Sequence, residues 1–225
     1  MTVKLFLLGM PGSGKSTTFR HIESFVKRKY RHISIVRIKD YSILRTMAEE
    51  DTEERNFCNV HPKGFDIKNL AILDDVLRQL AKQANALTAT EQQTDVVVIE
   101  FSRNDYRKAF RQFESAFLQD AYFLFLEADL DICRKRIRDR ANRWESDDDH
   151  DVSDHILESY YGEGSKYDIY SCLDKVDKQH IRLLSNNDSF PNIEEEINNF
   201  VEFVFEQTGI DEVKLTYNIL NCNGK

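Results

Sequence analysis

The sequence predicts an α/β fold, a three-layer sandwich with a five-stranded parallel sheet and helices on both of its faces. Strand-length apolar runs alternate with longer amphipathic segments along the 225 residues, which is typical of consecutive β-α-β units. The run 95–101 is apolar and β-branched almost throughout, as expected of a strand that helices cover on both faces. A glycine-rich stretch separates the first apolar run, 3–8, from the first amphipathic segment, 17–29.

The glycine-rich stretch has the P-loop pattern G-x-x-x-x-G-K-S in the strand–loop–helix context that this motif requires. Its residues are Gly9, Met10, Pro11, Gly12, Ser13, Gly14, Lys15, Ser16 and Thr17. Glycines permit backbone angles that other residues avoid, so the loop N–H groups and the N-terminus of the next helix can converge on a polyphosphate. We therefore expect ATP to bind along 9–17, with Lys15 on the β- and γ-phosphates and Ser16 on Mg²⁺.

The remaining elements follow in the order of the chain. Further strands are predicted at 32–38, 95–101, 121–126 and 181–184, and further helices at 66–83, 104–118, 131–144, 153–161 and 192–207. The segment 41–65 is predicted to be helical and polar apart from a break at 59–64, and 84–94 to be a polar connection. The tail 210–225 has no strong pattern, and the whole chain, 1–225, is predicted to form one domain.

Two acidic residues end predicted strands at the sheet edge where ligands of such folds bind. Glu100 ends the most apolar strand, where an isolated carboxylate is costly, and we expect it to hold Mg²⁺ directly or through water. The alternative for Glu100 is an exposed acid at the strand end. Asp40 follows the second strand, and three roles stay open for it: a general base toward a hydroxyl acceptor, a second Mg²⁺ contact and a helix N-cap.

Arginines are concentrated on the predicted helix 131–144. Arg136, Arg140 and Arg143 are spaced at i, i+4 and i+7, so one face of the helix carries all three. Guanidinium groups bind phosphate oxygens bidentately, and we expect this cluster to stabilise charge during phosphoryl transfer. The alternative is a solvated basic face that pairs with the acidic run 145–151, which we expect to be a mobile, hydrated loop or a latch of a lid.

Composition and charge narrow the class of protein. The formal net charge of −8 argues against general binding of nucleic acids, whose phosphates attract basic faces. The four cysteines are dispersed without a C-x-x-C pair, so we expect reduced thiols and a cytoplasmic location. The apolar runs are of strand length and the first begins at Val3, so neither a membrane span nor a signal peptide is expected.

Beyond the bare P-loop, several segments resemble the nucleoside-monophosphate kinases, the adenylate and UMP/CMP kinases. The loop 9–17 is similar to their G-x-P-G-S-G-K-[GS]-T, and 43–45 is similar to their D-[LM]-L-R segment. The segment 99–103 resembles their D-G-F-P-R turn, but it lacks the Gly and the Pro and is one residue shorter. The segment 136–160 resembles their short lid and the helix after it, which ends in Tyr.

This resemblance implies ATP-dependent phosphorylation, an acceptor-binding insert at about 41–70 and a mobile lid at about 138–162. It also implies that Arg45 and Arg103 hold the phosphate of the acceptor, with Arg103 among the catalytic residues, and that Glu100 lies near Mg²⁺. The helix after the lid departs from the family, because Ile156 stands near the place of an arginine.

We therefore expect a kinase that phosphorylates a small acceptor, with a nucleoside monophosphate as the first choice. Because 53–75 resembles no acceptor domain of that family, a nucleoside or another small hydroxyl compound, with Asp40 as base, is the alternative. A third possibility is an ATP-binding switch without an acceptor. The stretch 185–188 lacks the lysine of N-K-x-D, which disfavours a GTPase, and an AAA-type motor would need a longer chain. The oligomeric state is not predicted.

Overall fold

The computed structural model describes residues 2–61, 63–89, 94–143, 148, 150–162, 168–187 and 191–210, apart from the side chains of 143, 191 and 192. The strands in these ranges are β1 (Val3–Gly9), β2 (Ile35–Lys39), β3 (Phe57–His61), β4 (Gly64–Ile67), β5 (Val96–Phe101), β6 (Tyr122–Glu127) and β7 (Ile181–Ser185). The helices are α1 (Lys15–Lys29), α2 (Asp40–Glu50), α3 (Ile72–Ala89), α4 (Tyr106–Phe110), α5 (Ser115–Gln119), α6 (Leu130–Arg143), α7 (Asp154–Tyr161), α8 (Ile169–Cys172) and α9 (Pro191–Thr208).

The main sheet has five strands, all parallel, in the order β2-β5-β1-β6-β7. The predicted fold class is therefore confirmed. Because the strands are parallel, Gly9, Lys39, Phe101, Glu127 and Ser185 end at the same edge of the sheet. The loops that follow these residues form the part of the molecule in which ligands of open α/β sheets bind.

Alternate side chains of the central strand β1 enter two separate cores. Leu5 and Leu7 pack in a core with α1 and α9, whereas Phe6 and Leu8 pack in a core with α2, α3 and α4. Phe6 lies at the centre of the second core and stacks on Phe123 with 4.8 Å between ring centroids. Burial on both faces explains why the strands read as nearly continuous apolar runs.

The region after α2 forms a β-hairpin, although a mostly helical segment was predicted there. β3 and β4 pair antiparallel, so the prediction of a helical, polar segment at 41–65 is wrong beyond α2. The carboxylate of Asp51 accepts hydrogen bonds from the backbone N–H groups of Asn56 and Phe57, which turns the chain into β3. Phe57 is buried in the core with Phe6, and this tertiary contact outweighs the weak local pattern.

Two helix boundaries also differ from the prediction. α3 begins at Ile72 and runs to Ala89, since its apolar stripe continues to the buried Ala84, whereas Leu70 is exposed. The predicted helix 104–118 is divided into α4 and α5. The break between them lets Phe110, Phe113 and Phe117 all place their rings against Phe6.

None of the helices in the described ranges has both the length and the apolar composition that crossing a membrane requires. Some predictions concern residues outside those ranges. These are the side chain of Arg143, residues 145–147 and 149 of the acidic run, and the tail 211–225.

Candidate functional site

The P-loop turns between Gly9, the last residue of β1, and Lys15, the first residue of α1. Gly12 and Gly14 have φ angles of 81° and 104°, which residues with a Cβ rarely adopt. A Cβ on Gly12 would also lie 2.5 Å from the carbonyl oxygen of Cys133 on α6. Only glycine accommodates the backbone conformation of the loop at positions 12 and 14. The loop leads directly into the N-terminus of α1.

Two side chains from elsewhere in the chain fix the P-loop backbone. The N–H of Gly9 donates to Oη of Tyr106 at 2.9 Å, and Nδ2 of Asn186 donates to the carbonyl oxygen of Ser13 at 2.7 Å. Tyr106 and Asn186 are both buried. Neither residue was predicted from the sequence to belong to the site, although Asn186 lies just beyond a predicted strand at the ligand-binding edge.

A polar cavity of about 300 Å³ lies over the P-loop, and we call it the phosphate cavity. Its basic side chains are Lys15, Arg20, Lys39, Arg136 and Arg140, and its acidic side chains are Asp40, Glu100, Asp139 and Asp148. The structure thus brings the predicted residues of the loop together with Arg136 and Arg140 of α6. A cavity with five cations suits a polyphosphate.

Lys15 folds back onto the loop that carries it. Its Nζ donates to the carbonyl oxygens of Gly9 and Met10, at 3.0 and 2.9 Å, and to Oγ of Ser102 at 2.7 Å. Burial lowers the pKa of Lys15, and the negative charges of Glu100 and Asp40 oppose that change. The ammonium group is therefore desolvated and held by neutral acceptors that a phosphate oxygen can replace.

Arg37 of β2 is a site residue that the sequence analysis missed. Its guanidinium group donates to Oε2 of Glu100 at 2.8 Å, to Oγ of Ser16 at 3.0 Å and to both carboxylate oxygens of Asp148. The sequence does contain a signal for this role, because Arg37 is a charged residue within a mostly apolar strand. A buried cation without a partner is costly, so an acidic partner for Arg37 could have been expected. Glu100 and Ser16, the two expected Mg²⁺ ligands, consequently lie in one hydrogen-bond network.

The two carboxylates of this network have altered pKa values. Burial raises the pKa of Glu100, against the opposing charges of Lys15 and Arg37. Burial also acts to raise the pKa of Asp148, but hydrogen bonds and charge interactions with Arg37 and Lys39 outweigh it and hold this pKa well below its usual range. The side chain of Asp148 is 15% exposed and pairs with Arg37 and Lys39, so of the two expectations for 145–151 this residue departs from a hydrated loop and fits the latch of a lid.

Asp40 and Arg103 form a buried ion pair with 2.6 Å between Oδ2 and Nη1. Arg103 is 4% exposed and also donates through Nη2 to the carbonyl oxygen of Leu73 at 3.0 Å. The open role of helix N-cap is wrong for Asp40, because the N-cap of α2 is Lys39 and no side chain caps the helix. Asp40 instead points its carboxylate toward the end of β5.

Arg45, predicted to hold the acceptor phosphate, lies on α2. Its Nε donates to Oε1 of Glu49 at 2.6 Å, and its Nη1 donates to the carbonyl oxygen of His61 at 2.7 Å. Arg45 does not occur among the described residues that line the phosphate cavity or the cavity beside it.

A second cavity of about 90 Å³ lies beside the phosphate cavity, and we call it the apolar cavity. Aliphatic and aromatic side chains form most of its wall, among them Tyr41, Leu44, Phe65, Leu73, Ile156 and Tyr160. Pro11, Asp40, Tyr41 and His150 line both cavities. Asp40 therefore lies where the two cavities meet.

The residues of the phosphate cavity fit ATP and Mg²⁺. The glycine-shaped loop and the surrounding cations suit the phosphates, while the hydroxyl of Ser16 and the carboxylate of Glu100 are the hard oxygen donors that Mg²⁺ prefers. In the described part of the chain, no group of three or more His, Cys, Asp or Glu side chains could hold a metal ion.

The fold, with its glycine-shaped loop between β1 and α1, is that of the P-loop NTPases. The chain belongs to the AAA domain family AAA_18, whose model matches residues 5–158. This match includes the P-loop, α6 and most of α7. The prediction from chain length that the protein is not an AAA-type motor concerns its activity, which this match does not test. No curated protein matches the chain.

Solved structures with the same fold include several kinases. A sugar kinase from a Janibacter species is 13% identical with a TM-score of 0.53, over 90% of this chain and 95% of that one. Kti12 from Chaetomium thermophilum, in complex with ADP-AlF3, is 15% identical with a TM-score of 0.54, over 89% and 98%. The Mycobacterium tuberculosis APS kinase CysC, in complex with AMPPNP and APS, is 15% identical with a TM-score of 0.53, also over 89% and 98%. This likeness shows a P-loop kinase-like fold.

Proposed function

We propose that the chain is an ATP-dependent kinase that phosphorylates a hydroxyl group of a small acceptor. The observation that carries this proposal is the position of Asp40, which lines both the phosphate cavity and the apolar cavity. The phosphate cavity, with the P-loop and the cations, would bind the phosphate donor, and the mostly apolar cavity would bind the acceptor. The two substrates would then meet at the carboxylate of Asp40. The kinase-like fold supports the nucleotide half of the proposal.

On this proposal, ATP binds along 9–17, and Lys15 exchanges the carbonyl oxygens of the loop for the β- and γ-phosphates. Ser16 and Glu100 would hold Mg²⁺, which neutralises charge on the phosphates when it is bound. The APS kinase was solved with AMPPNP and Kti12 with ADP-AlF3, which supports a nucleotide at the corresponding loop of this fold.

The transfer requires the acceptor oxygen to attack the γ-phosphorus in line with the leaving group. The new P–O bond forms as the bond from the γ-phosphorus to the bridging oxygen breaks, and ADP leaves with that electron pair. The hydroxyl proton passes to Asp40, whose Oδ2 is held by Arg103 and whose Oδ1 accepts no hydrogen bond from the described residues. Arg136 and Arg140 would stabilise the transferring group, together with Arg143 from the predicted set.

A hydroxyl acceptor is favoured over a nucleoside monophosphate by the contacts of two arginines. Arg103 is paired with Asp40 and the carbonyl of Leu73, and Arg45 contacts Glu49 and the carbonyl of His61. An acceptor phosphate would have to displace the contacts of Arg45, and at Arg103 it would find only the Nε–H without a hydrogen-bond partner among the described residues. The nucleoside monophosphate is the second candidate, supported by the resemblance of 43–45 and 99–103 to the kinases of that class.

We also propose that 41–70 is the acceptor-binding insert and 138–162 the lid. The N–H of Asp151 donates to the carbonyl oxygen of Lys63 at 2.6 Å, which joins the two segments beside the apolar cavity. Such a contact would help to exclude water, which otherwise competes with the acceptor.

The dispersed cysteines support a cytoplasmic location.

The test is the transfer of label from γ-labelled ATP to a panel of nucleosides, nucleoside monophosphates, sugars and simple alcohols. The variant Asp40→Asn should lower kcat by about 10²- to 10⁴-fold without weakening ATP binding, because it removes a base and a negative charge from the phosphate cavity and no cation. Asp174→Asn, at an exposed position, is the control. Slow ATP hydrolysis with no labelled acceptor would reject the proposal in favour of an ATP-binding switch.

A further inference from the structure

Asp148 is an acidic side chain in a cavity whose other features suit an anionic ligand. Its carboxylate oxygens accept hydrogen bonds from Nη1 and Nη2 of Arg37, at 3.0 and 2.9 Å. This bidentate geometry is the one that guanidinium groups form with phosphates as well as with carboxylates. Oδ1 of Asp148 also accepts from Nζ of Lys39 at 2.9 Å, and Nη1 of Arg20 lies 3.6 Å from Oδ2. Three basic side chains thus surround one carboxylate.

The three basic residues around Asp148, which we call the basic cluster, are Arg20 of α1 and Arg37 and Lys39 of β2. In the described part of the chain, their ion-pair partners are Asp148 and Glu100, so three positive charges face two negative ones. Without Asp148 the cluster would have an excess of two positive charges, although the side chains of Arg37 and Lys39 are only 12% and 18% exposed. Cations at such positions require anionic partners, and a phosphate group has the charge and the oxygens to serve as one.

The basic cluster lies where a nucleotide is expected to bind. Nη2 of Arg37 donates to Oγ of Ser16 in the P-loop at 3.0 Å. Arg20, Lys39 and Asp148 all line the phosphate cavity. A phosphate group and the carboxylate of Asp148 would use the same N–H groups of the cluster, so the two cannot be bound there together. Binding of a phosphate group to the cluster therefore requires Asp148 to leave.

We infer that the basic cluster is a subsite for a phosphate group of ATP, and that the carboxylate of Asp148 occupies this subsite as an internal competitor. The inference rests on the proposed binding of ATP and adds a form of regulation to that site. ATP reaches its full affinity only in molecules from which Asp148 has left the subsite. If Asp148 occupies the subsite in about nine of ten molecules, the apparent Kd for ATP is about 10-fold weaker than the intrinsic Kd.

Calorimetric titration with ATP and Mg²⁺, without an acceptor, tests the competition. Asp148→Asn removes the competing charge but keeps the size of the side chain. Asp139→Asn is the matched comparison, because Asp139 is an exposed acid that lines the same cavity, and its removal measures the general effect of one negative charge. The Kd for ATP of Asp148→Asn should lie about 10-fold below that of Asp139→Asn.

A second substitution tests the subsite itself. In the Asp148→Asn background, Lys39→Gln should raise the Kd for ATP by about 10-fold or more, because a charged hydrogen bond to phosphate is lost without any effect on a competitor. An unchanged Kd in this double variant would show that the basic cluster does not bind ATP, and the inference would be wrong.

The remaining outcomes are equally decisive. Equal Kd values for Asp148→Asn and Asp139→Asn would overturn the inference, and so would weaker ATP binding by Asp148→Asn, which would indicate that Asp148 assists the nucleotide. Absence of ATP binding to the wild-type protein would reject the proposed function and the inference with it.

Should Asp148→Asn fail to fold, a crystal structure of the wild-type protein with AMPPNP decides. A phosphate oxygen within hydrogen-bond distance of Arg37 and Lys39, with Asp148 displaced, supports the inference. A carboxylate of Asp148 that still pairs with Arg37 beside the bound nucleotide contradicts it.

Discussion

The phosphate cavity and the apolar cavity share Asp40 but are built in different ways. The phosphate cavity is organised around the consecutive residues 9–17, between a strand and a helix. The apolar cavity is assembled from the start of α2, the hairpin, α3, the end of β5 and the region of α7. The first has a local backbone structure at its base, to which α2, β5 and α6 add charged side chains, whereas the second depends throughout on how distant elements pack together.

This difference separates the two kinds of effect that a substitution can have. In the phosphate cavity, the side chains face developing charge, so their removal should act on the rate of the chemical step. In the apolar cavity, most side chains supply shape and apolar contact, so their removal should act on acceptor binding or on stability. Single substitutions in each cavity test this separation, and the largest effect is expected at the P-loop.

Lys15→Ala should lower kcat by about 10²- to 10³-fold or more and weaken ATP binding, because it removes the cation expected at the β- and γ-phosphates. Phosphotransfer kinetics and calorimetric titration with ATP measure the two effects. Lys27→Ala, at an exposed position of the same helix, is the matched control. Full phosphotransfer by purified Lys15→Ala would show that the P-loop assignment is wrong.

Arg140→Ala should lower kcat by about 10²-fold, since Arg140 lines the phosphate cavity and would face the transferring phosphoryl group. Arg138→Ala is a close control: Arg138 lies two residues away on α6, is exposed and pairs with Asp154. Steady-state kinetics with saturating ATP distinguishes the two variants. Equal losses for Arg138→Ala and Arg140→Ala would indicate a general effect of charge on α6 rather than a role in the cavity.

The sequence was sufficient for the fold class and the P-loop because both depend on local patterns. The order of apolar runs identified the parallel strands, and the spacing of Gly9, Gly12 and Gly14 identified the loop. Arg37, Tyr106 and Asn186 were missed, since their roles depend on partners that only the tertiary fold brings within 3 Å. Pattern analysis assigns a role to a residue from its neighbours along the chain, and these residues have functional neighbours only in space.

The hairpin was missed for a related reason. Its strands are short, and β3 buries Phe57 while its last three residues are exposed, so no clear alternation of apolar and polar residues marks it. The hairpin contributes Phe65 and Ile67 to the wall of the apolar cavity, and α7 contributes Ile156, Tyr160 and Tyr161. The acceptor site was consequently the least predictable part of the protein.

The ion pair of Arg37 with Asp148 should contribute a coupling free energy of about 1–3 kcal/mol to stability, because both side chains are largely buried. A double-mutant cycle of Arg37→Gln and Asp148→Asn, measured by urea unfolding, gives this value. The exposed pair Arg138 and Asp154 is the comparison, with an expected coupling of about 0.2–1 kcal/mol. Similar coupling free energies for the two ion pairs would contradict a buried hydrogen-bond network of Arg37 and Asp148 beside the phosphate cavity.

The pH dependence of that coupling follows from the lowered pKa of Asp148. A carboxylate with a lower pKa in the folded state stabilises the protein above its unfolded pKa, and this contribution is lost as the pH falls through the folded value. The Arg37–Asp148 coupling should therefore be the same at pH 7 and pH 5. A marked loss between these two values would show that the pKa of Asp148 in the folded protein is raised, so that Arg37 and Lys39 do not hold it below its usual range.

The smallest effect is expected at Arg45, and it separates the two candidate acceptors. For a hydroxyl acceptor, Arg45→Ala should change kcat/KM by less than about twofold, because Arg45 contacts Glu49 and the carbonyl of His61 and lines neither cavity in the described part of the chain. If a nucleoside monophosphate is the acceptor and Arg45 holds its phosphate, KM should rise by about 10-fold or more, since a charged hydrogen bond to phosphate is lost. Acceptor KM values for wild type and Arg45→Ala, measured with a nucleoside and with its monophosphate, therefore decide whether acceptor recognition lies in apolar contacts or in a second phosphate site.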